Sequence, residues 1–188
     1  STGLHGANRL ASNSLMECIV FAKQLSNIIL NNSSKNAFSR VQQEPLLCDL
    51  KLTKNITSNS IMLSIQRLRD LCWKEVGVSR SFKGMKTLLD QIIKDEDENS
   101  RQPLLRFIHS HSFNDQYILN DNTSRDLNLL LDLYHRQLTT RLLLQACLFR
   151  KESRGGHFRS DFQAALSCWK CHSRQQLGKE LSTRPVKS

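Results

Sequence analysis

The sequence predicts a mainly α-helical protein, a helical bundle with one further helix in front of it. The 188 residues include only 7 glycines and 3 prolines, whereas β-sandwiches and β-barrels use many of both in their turns. Four stretches repeat apolar residues at steps of three and four, the spacing of one helix face, and none alternates convincingly between apolar and polar residues. Because a chain of this length can bury a core of ordinary size, we expect the helices to pack together.

The front helix is predicted over residues 13–30. Ser12 or Asn13 would accept hydrogen bonds from its first backbone N–H groups, and apolar residues recur along it at helical spacing. These apolar residues are Leu15, Cys18, Ile19, Ala22, Leu25 and Ile29. Residues 33–57, which follow, are polar and aperiodic, so we interpret them as a connector.

The second and third helices are predicted to follow one another closely. The second begins near Ser58 and ends before Gly77, a predicted C-cap, and the third ends in the acidic loop of residues 95–98. The second helix is expected to bury Ile61, Ile65, Leu68, Cys72 and Val76, and the third Phe82, Met85, Leu89 and Ile92.

The longest helix is predicted from about Ser124 to about Glu152. Its apolar face is expected to comprise Leu127, Leu131, Tyr134, Leu138, Leu142, Ala146 and Phe149. Residues 99–124, before it, show no clear period, and Leu104 to Ile108 fit a short helix as well as a strand. The three helices after the connector predict a three-helix bundle over residues 58–188.

The charge of the chain is uneven. The formal net charge is +10, and residues 136–188 carry +8 of it, from 11 lysines and arginines against 3 aspartates and glutamates. A basic segment can bind nucleic acid or an anionic surface, or face an acidic partner domain. Aromatic residues are only 6% of the chain, and no helix concentrates lysine and arginine on one face, which disfavours nucleic acid. No apolar run reaches the ~20 residues of a membrane span.

A candidate anion site precedes the front helix, between Gly3 and Leu15. Gly3 and Gly6 would let the backbone approach a ligand closely, and Arg9 offers a two-pronged donor for a carboxylate or phosphate. The helix N-terminus nearby also favours an anion through its free N–H groups and its dipole. The alternative interpretation is a capped helix after a turn, with Arg9 in solvent.

A second motif, from Arg150 to Phe162, ends the longest helix. Gly155 and Gly156 are typical of a helix C-cap. The residues after them place charges of both signs beside two phenylalanines. By pattern alone this segment is interpreted as a C-cap followed by a solvated loop.

The third motif is a pair of cysteines followed by a histidine. Cys168, Cys171 and His172 match the pattern of covalent haem attachment and also half of a zinc site. Haem attachment requires export, and the first residues do not match a signal sequence, while a zinc site requires a second ligand pair, which His109 and His111 do not supply convincingly. We therefore predict no metal site, reduced thiols beside a packed tryptophan, and a cytoplasmic location.

Two of these motifs resemble a known family. The segment from Thr2 to Glu17 resembles the closing motif of the FAD-binding domain in the succinate dehydrogenase/fumarate reductase flavoprotein superfamily. The segment from Arg150 to Phe162 resembles the hallmark at the end of that superfamily's helical domain. Within the superfamily, Ala11-Ser12, Glu17 and the segment from Trp73 to Gly77 resemble the L-aspartate oxidase family more closely.

The resemblance implies the C-terminal part of a FAD-dependent L-aspartate oxidase, which oxidises L-aspartate to iminoaspartate in the first step of de novo NAD biosynthesis. Residues 1–32 would end the FAD-binding domain, residues 33–57 would be a connector, and residues 58–188 would form the C-terminal helical domain. A capping domain and most of the FAD-binding domain would precede residue 1, so the isolated chain is expected to be inactive. The alternatives are a fragment of a succinate dehydrogenase or fumarate reductase flavoprotein and a basic nucleic-acid-binding helical module.

The resemblance also implies roles for single residues. Arg9, with His5 in the same turn, would bind a carboxylate of the dicarboxylic substrate. Ser14 and Leu15, with Asn13, would contact the flavin at the helix N-terminus, and no catalytic residue is expected within the chain. The residues implied to dock the helical domain onto the preceding flavin and capping domains are Arg154, His157, Arg159 and Asp161.

Overall fold

The computed structural model describes residues 13–33, 46–48, 56–103, 105–106 and 117–186. The chain divides into two compact units, Ser1–Gln43 and Glu44–Ser188. In the first unit, helix α1 spans Asn13–Ser33, which confirms the predicted front helix. Neither α1 nor any other helix in the described ranges is long and apolar enough to cross a bilayer.

Three long helices form the bundle of the second unit. They are α2 (Ser58–Val76), α3 (Phe82–Ser100) and α4 (Asp121–Phe149). Each begins after a side-chain cap, since Thr57, Ser81 and Asn120 each accept a hydrogen bond from a backbone N–H in the first turn. Because α4 packs against both α2 and α3, the predicted mainly helical, three-helix fold is confirmed.

Two apolar clusters fill this bundle. The larger one consists of Leu68, Val76, Met85, Leu88, Leu89, Ile92, Leu144 and Cys147. The smaller one consists of Ile61, Leu105, Leu130 and Leu133. Burial of one large aliphatic side chain contributes roughly 1.5–3 kcal/mol, so these clusters supply the main favourable contribution to folding of the unit.

The end of α3 differs from the prediction. Residues 95–98, expected as an acidic loop, are helical, and α3 continues past them. Two of their four charges form ion pairs: Asp97 lies 2.5 Å from Arg101, and Glu96 lies 2.9 Å from Arg141 of α4. These ion pairs allow the acidic run to extend the helix instead of ending it.

The buried face of α4 is not the predicted one. Its buried residues are Thr123, Leu130, Leu133, Gln137, Thr140, Leu144 and Cys147. The polar members of this face have hydrogen-bond partners: Gln137 accepts a bond of 3.2 Å from Asn99, and Thr140 donates one of 2.8 Å to the Arg136 carbonyl. The predicted stripe is only partly buried: Leu127 and Leu131 pack against the smaller cluster, whereas Leu142 is 40% exposed. The prediction followed apolar residues alone, whereas the helix turns a mixed face toward α2 and α3.

The sequence predicted the end of α2 correctly, but not the exposure of the first residue of α3 or the end of α4. Gly77 caps α2 as predicted, and it must be small because a Cβ there would collide with the Trp73 carbonyl. Phe82, predicted as buried, is 56% exposed because it is the first residue of α3. The last helix ends at Phe149, earlier than predicted, since Arg150 takes an extended backbone conformation.

Short strands complete the described part of the second unit. Strand β1 (Leu46–Cys48) pairs in parallel with β2 (Tyr117–Leu119), and β3 (Cys171–Arg174) pairs antiparallel with β4 (Ser182–Pro185). A 3₁₀ turn, Ser167–Trp169, precedes β3. The sequence did not predict these strands, because three or four residues are too few for alternation to be recognised.

Candidate functional site

The second sequence motif folds into a closed loop at one end of the bundle. This loop, the clasp, comprises residues 150–162 and follows α4 directly. Its backbone pairs with the connection between α2 and α3: the Arg80 N–H donates to the Phe158 carbonyl over 3.1 Å, and the Ser160 N–H donates to the Arg80 carbonyl over 2.8 Å. The clasp therefore links all three helices. Most of its residues are exposed, as expected of a solvated loop, but the predicted C-cap at Gly155 and Gly156 is wrong because α4 already ends at Phe149.

The clasp turns back on itself at Gly155. Arg154 and His157 exchange backbone hydrogen bonds of 2.8 and 3.0 Å. Between them Gly155 has φ 58°, a left-handed conformation that glycine adopts without a steric penalty. Ser153 then closes the loop, because its hydroxyl accepts from the Arg159 N–H and donates to the Phe162 carbonyl, each over 2.8 Å.

A buried carboxylate, Glu152, lies at the start of the clasp. Its side chain is 0% exposed and lies 2.6 Å from the Arg150 guanidinium. Arg154 donates to both carboxylate oxygens, over 2.9 and 3.0 Å, and the Leu166 N–H donates over 2.9 Å. These hydrogen bonds, those from Arg154 foremost, lower the pKa of Glu152 from 4.5 to about 2. The carboxylate therefore stays charged and fixes the two arginines and the chain after the clasp.

A buried guanidinium, Arg159, lies at the other end of the clasp. Its side chain is 0% exposed and forms a two-pronged pair with Asp161, over 2.8 and 2.5 Å. The same group donates to the Cys147 carbonyl over 2.9 Å and to the Leu148 and Arg150 carbonyls over 3.4 and 3.3 Å. The last carbonyls of a helix receive no hydrogen bond from within the helix. Arg159 supplies donors to them and so caps the C-terminal end of α4. Hydrogen bonds from Arg159 also lower the pKa of Asp161.

The imidazole of His157 bridges the clasp and the α2–α3 connection. Its Nδ1 lies 3.0 Å from Arg80 Nη1, and its Nε2 lies 3.2 Å from the Arg150 carbonyl. Because a guanidinium can only donate, Nδ1 accepts and the proton resides on Nε2, which donates to the carbonyl. Burial lowers the pKa of His157, with Arg80 and Arg159 acting in the same direction. The ring is therefore a neutral structural link at neutral pH.

The structure brings together all four residues that the sequence analysis assigned to docking. Their hydrogen bonds lie within the chain; Arg159 is fully buried, and the Arg154 side chain is 42% exposed. Docking onto another domain stays a prediction. Sequence reasoning missed two residues of this site, Glu152 in the clasp and Arg80 in the α2–α3 connection. Glu152 stood between two arginines in the motif, whereas Arg80 carries no local signal because 77 residues separate it from His157.

The front helix begins where the resemblance places the flavin contacts. Asn13, Ser14 and Leu15 are the first residues of α1, and the first backbone N–H groups of a helix have no acceptor within it. Leu15 is 70% exposed in this chain. Arg9 and His5 lie outside the described residues.

The cysteine motif forms a turn beside the clasp. Cys168 is exposed, Cys171 is partly buried, and both are free thiols. Trp169 between them packs edge-on against Phe149, with ring centroids 5.4 Å apart, which confirms the packed tryptophan. Over the part of the chain that the structure describes, no group of three His, Cys, Asp or Glu residues is arranged to hold a metal ion.

The charge of Glu152 makes the stability of the unit depend on pH. Because its folded pKa of about 2 lies below its ordinary 4.5, its contribution is full above about pH 4.5 and is lost as the pH falls toward 2. We expect the difference in the free energy of unfolding between the wild type and Glu152→Gln, measured by urea unfolding, to become smaller as the pH falls from about 4.5 toward 2. Asp132→Asn, at an exposed ion pair, is the control and should leave the pH dependence unchanged. If the free energies of unfolding of the wild type and Glu152→Gln change with pH in parallel, the charge of Glu152 does not stabilise the unit as described.

Known proteins match most of the chain. The model of the fumarate reductase flavoprotein C-terminal family matches residues 65–188. An L-aspartate oxidase of Nostoc is 32% identical over 178 residues, which cover 92% of this chain and 30% of that protein. An L-aspartate oxidase of Synechocystis is 34% identical over 179 residues, 92% of this chain and 31% of that protein. An uncharacterised FAD-dependent oxidoreductase of Methanocaldococcus jannaschii is 27% identical over 172 residues, 89% of this chain and 28% of that protein. The chain thus spans less than a third of the length of these relatives.

Proposed function

The chain belongs to the fumarate reductase flavoprotein C-terminal family, and from this premise we propose that it is the C-terminal part of a FAD-dependent L-aspartate oxidase. The observation that carries the proposal is the identity of 32–34% over 92% of the chain with proteins of that name. The reaction is the oxidation of L-aspartate to iminoaspartate. Bound FAD would accept the hydride, and the longer protein would supply the remaining domains that hold it.

Arg9 is proposed to bind a carboxylate of the substrate. A guanidinium presents two parallel N–H donors that match the two oxygens of a carboxylate, and it keeps its charge at any physiological pH. Glycines precede Arg9 in the sequence on both sides of His5, and they would let substrate approach the backbone closely. His5, four residues before Arg9, is proposed as a second substrate contact.

The N-terminus of α1 is proposed to contact the flavin. Asn13, Ser14 and Leu15 would do so through the backbone N–H groups that the helix leaves free. Their donors and the helix dipole would stabilise the negative charge that the flavin gains when it takes up hydride. This contribution is electrostatic and requires no catalytic side chain from the chain itself.

The clasp is proposed to dock the helical domain onto the preceding flavin-binding and capping domains. The partly exposed side chain of Arg154 would make the direct contact, beside Phe158 and Phe162, which are 41% and 37% exposed. His157, Arg159 and Asp161 would keep the loop in shape, since their hydrogen bonds lie within the chain. Residues 150–162 keep a net charge of +2, from four lysines and arginines against Glu152 and Asp161. Contact of this surface with an acidic face of the preceding domains would account for part of the basic charge without nucleic acid.

A succinate dehydrogenase or fumarate reductase flavoprotein is the second candidate. The family model over residues 65–188 supports it, because that family is named for fumarate reductase. The two candidates share the flavin and a dicarboxylate substrate. They differ in whether the site accepts the ammonium group of aspartate.

The isolated 188-residue chain is expected neither to retain flavin nor to oxidise aspartate, because it spans only 30–31% of the length of the two L-aspartate oxidases described above. The test is to purify the chain and the longer protein side by side. The longer protein should show flavin absorbance and form hydrogen peroxide when L-aspartate is added in air, and the chain should show neither. Robust turnover by the chain alone would contradict the expectation, and absence of flavin from the longer protein would contradict the proposed function.

A further inference from the structure

Two thiols lie on one turn outside the clasp. In the 3₁₀ turn before β3, the Trp169 N–H donates to the Leu166 carbonyl and the Lys170 N–H donates to the Ser167 carbonyl, each over 3.1 Å. This folding brings the Cys171 thiol 3.8 Å from the Cys168 carbonyl oxygen. The segment from Cys168 to Cys171 is thus folded back on itself, and its two cysteines lie close together along an ordered stretch of backbone.

Neighbouring groups hold this turn in place. Arg150 donates to the Trp169 carbonyl over 2.5 Å and to the Cys171 carbonyl over 3.1 Å. Its guanidinium also lies 5.5 Å from the centre of the Trp169 ring, which packs on Phe149. Cys171 is also the first residue of β3, where it pairs with Pro185 of β4. Because the turn is already ordered, joining the two thiols would cost little conformational entropy.

Cys168 differs from Cys72 and Cys147 in its access to solvent, and from Cys18 in having a second thiol three residues away. Cys147 is 6% exposed and burial raises the pKa of its thiol, whereas Cys72 is half-buried and lies 3.5 Å from the Thr140 hydroxyl. Cys18 is exposed on α1. A disulfide exchange begins when an accessible thiol attacks. Cys168 meets this condition and has a second thiol three residues away.

We propose that Cys168 and Cys171 form a redox-active dithiol that closes reversibly into a disulfide. The oxidant is a small-molecule disulfide of the glutathione class. The Cys168 thiolate attacks one sulfur of that disulfide, which forms a mixed disulfide and releases one thiol. Cys171 then attacks the Cys168 sulfur, so that the intramolecular bond forms and the second thiol is released. The pair gives up two electrons and its protons pass to the released thiols, so the step is balanced.

The disulfide would act on the clasp through Arg150. This residue joins the turn to Glu152, from which it lies 2.6 Å away, and it donates to the carbonyl on each side of Lys170. Closing the bond fixes the backbone that Arg150 holds. Oxidation or reduction of the dithiol would therefore affect the conformational freedom of Arg150, and through Arg150 that of the clasp.

The test is thiol mapping of the purified chain in glutathione buffers of graded oxidised-to-reduced ratio. After acid quenching and alkylation, the peptide with both cysteines should shift from the doubly alkylated form to an unalkylated form two hydrogen atoms lighter than the unmodified dithiol as the ratio rises. Dithiothreitol before alkylation should restore the doubly alkylated form. A stable glutathione adduct on Cys168 with Cys171 still free would overturn the proposal. So would a peptide that stays fully reduced while Cys18 becomes modified.

Serine variants separate the two steps. Cys171→Ser should accumulate the glutathione adduct on Cys168, and Cys168→Ser should leave Cys171 largely unmodified. Cys18→Ser, at an exposed single thiol, is the matched control and should leave closure of the pair unchanged. If Cys171→Ser and the wild type carry equal amounts of adduct, Cys171 does not resolve the mixed disulfide and the proposal fails.

Discussion

Replacing Arg159 with methionine is expected to lower the free energy of unfolding by about 3 kcal/mol, because it removes the buried member of the pair with Asp161 and leaves carbonyls at the end of α4 without their donor. The variant keeps much of the side-chain volume but removes every hydrogen bond of the guanidinium. Asp161 then loses its cation, and the Cys147 carbonyl loses a donor at 2.9 Å. For a chain of this size the midpoint of thermal unfolding should fall by roughly 6–12 °C.

Two matched variants decide whether this loss comes from the buried geometry. Arg159→Lys retains the charge but not the two-pronged fork, so we expect an intermediate loss. Arg136→Ala removes an exposed ion pair with Asp132, and such pairs contribute about 0–1 kcal/mol. If Arg159→Met is as stable as Arg136→Ala in urea and thermal unfolding, Arg159 does not cap α4 in the way described.

The second large effect is expected in the longer protein, where Arg9→Lys should lower kcat/KM for L-aspartate by ~10²-fold, about 2.7 kcal/mol of transition-state binding. Lysine keeps the charge but offers no planar pair of donors, so one carboxylate contact is lost and the substrate is held less well. Steady-state kinetics at matched flavin content measures the effect. Lys23→Arg, the reverse exchange of cations at a position on α1, should leave kcat/KM unchanged.

The outcomes for Arg9 separate its roles. Loss of kcat/KM with flavin retained supports substrate binding. Loss of flavin from the Arg9→Lys protein would assign Arg9 to the cofactor or to folding, and an unchanged kcat/KM would remove it from the site.

Periodicity predicted the helices of the bundle but not every buried face. The stripes of α2 and α3 fall largely on the observed core because apolar residues dominate their inner faces. In α4 the inner face includes Gln137 and Thr140. Their burial depends on partners that periodicity does not detect, such as Asn99 on α3.

The candidate site, too, could be predicted only in part from the sequence. Its segment could be located from the sequence, because glycines and mixed charges follow a long helix. Its internal geometry could not, since Arg80 reaches His157 across 77 residues and the Leu166 N–H reaches Glu152 across 14. Sequence therefore predicts the place and the residue types, whereas long-range pairing decides which charges are buried.

The proposed function depends most directly on substrate discrimination by the longer protein. The measurement is kcat/KM for L-aspartate and for succinate, with the same flavin-loaded preparation and the same artificial electron acceptor. The proposal predicts turnover of L-aspartate to iminoaspartate with little or no oxidation of succinate. Efficient oxidation of succinate, with L-aspartate inert, would contradict it and would favour the succinate dehydrogenase or fumarate reductase alternative.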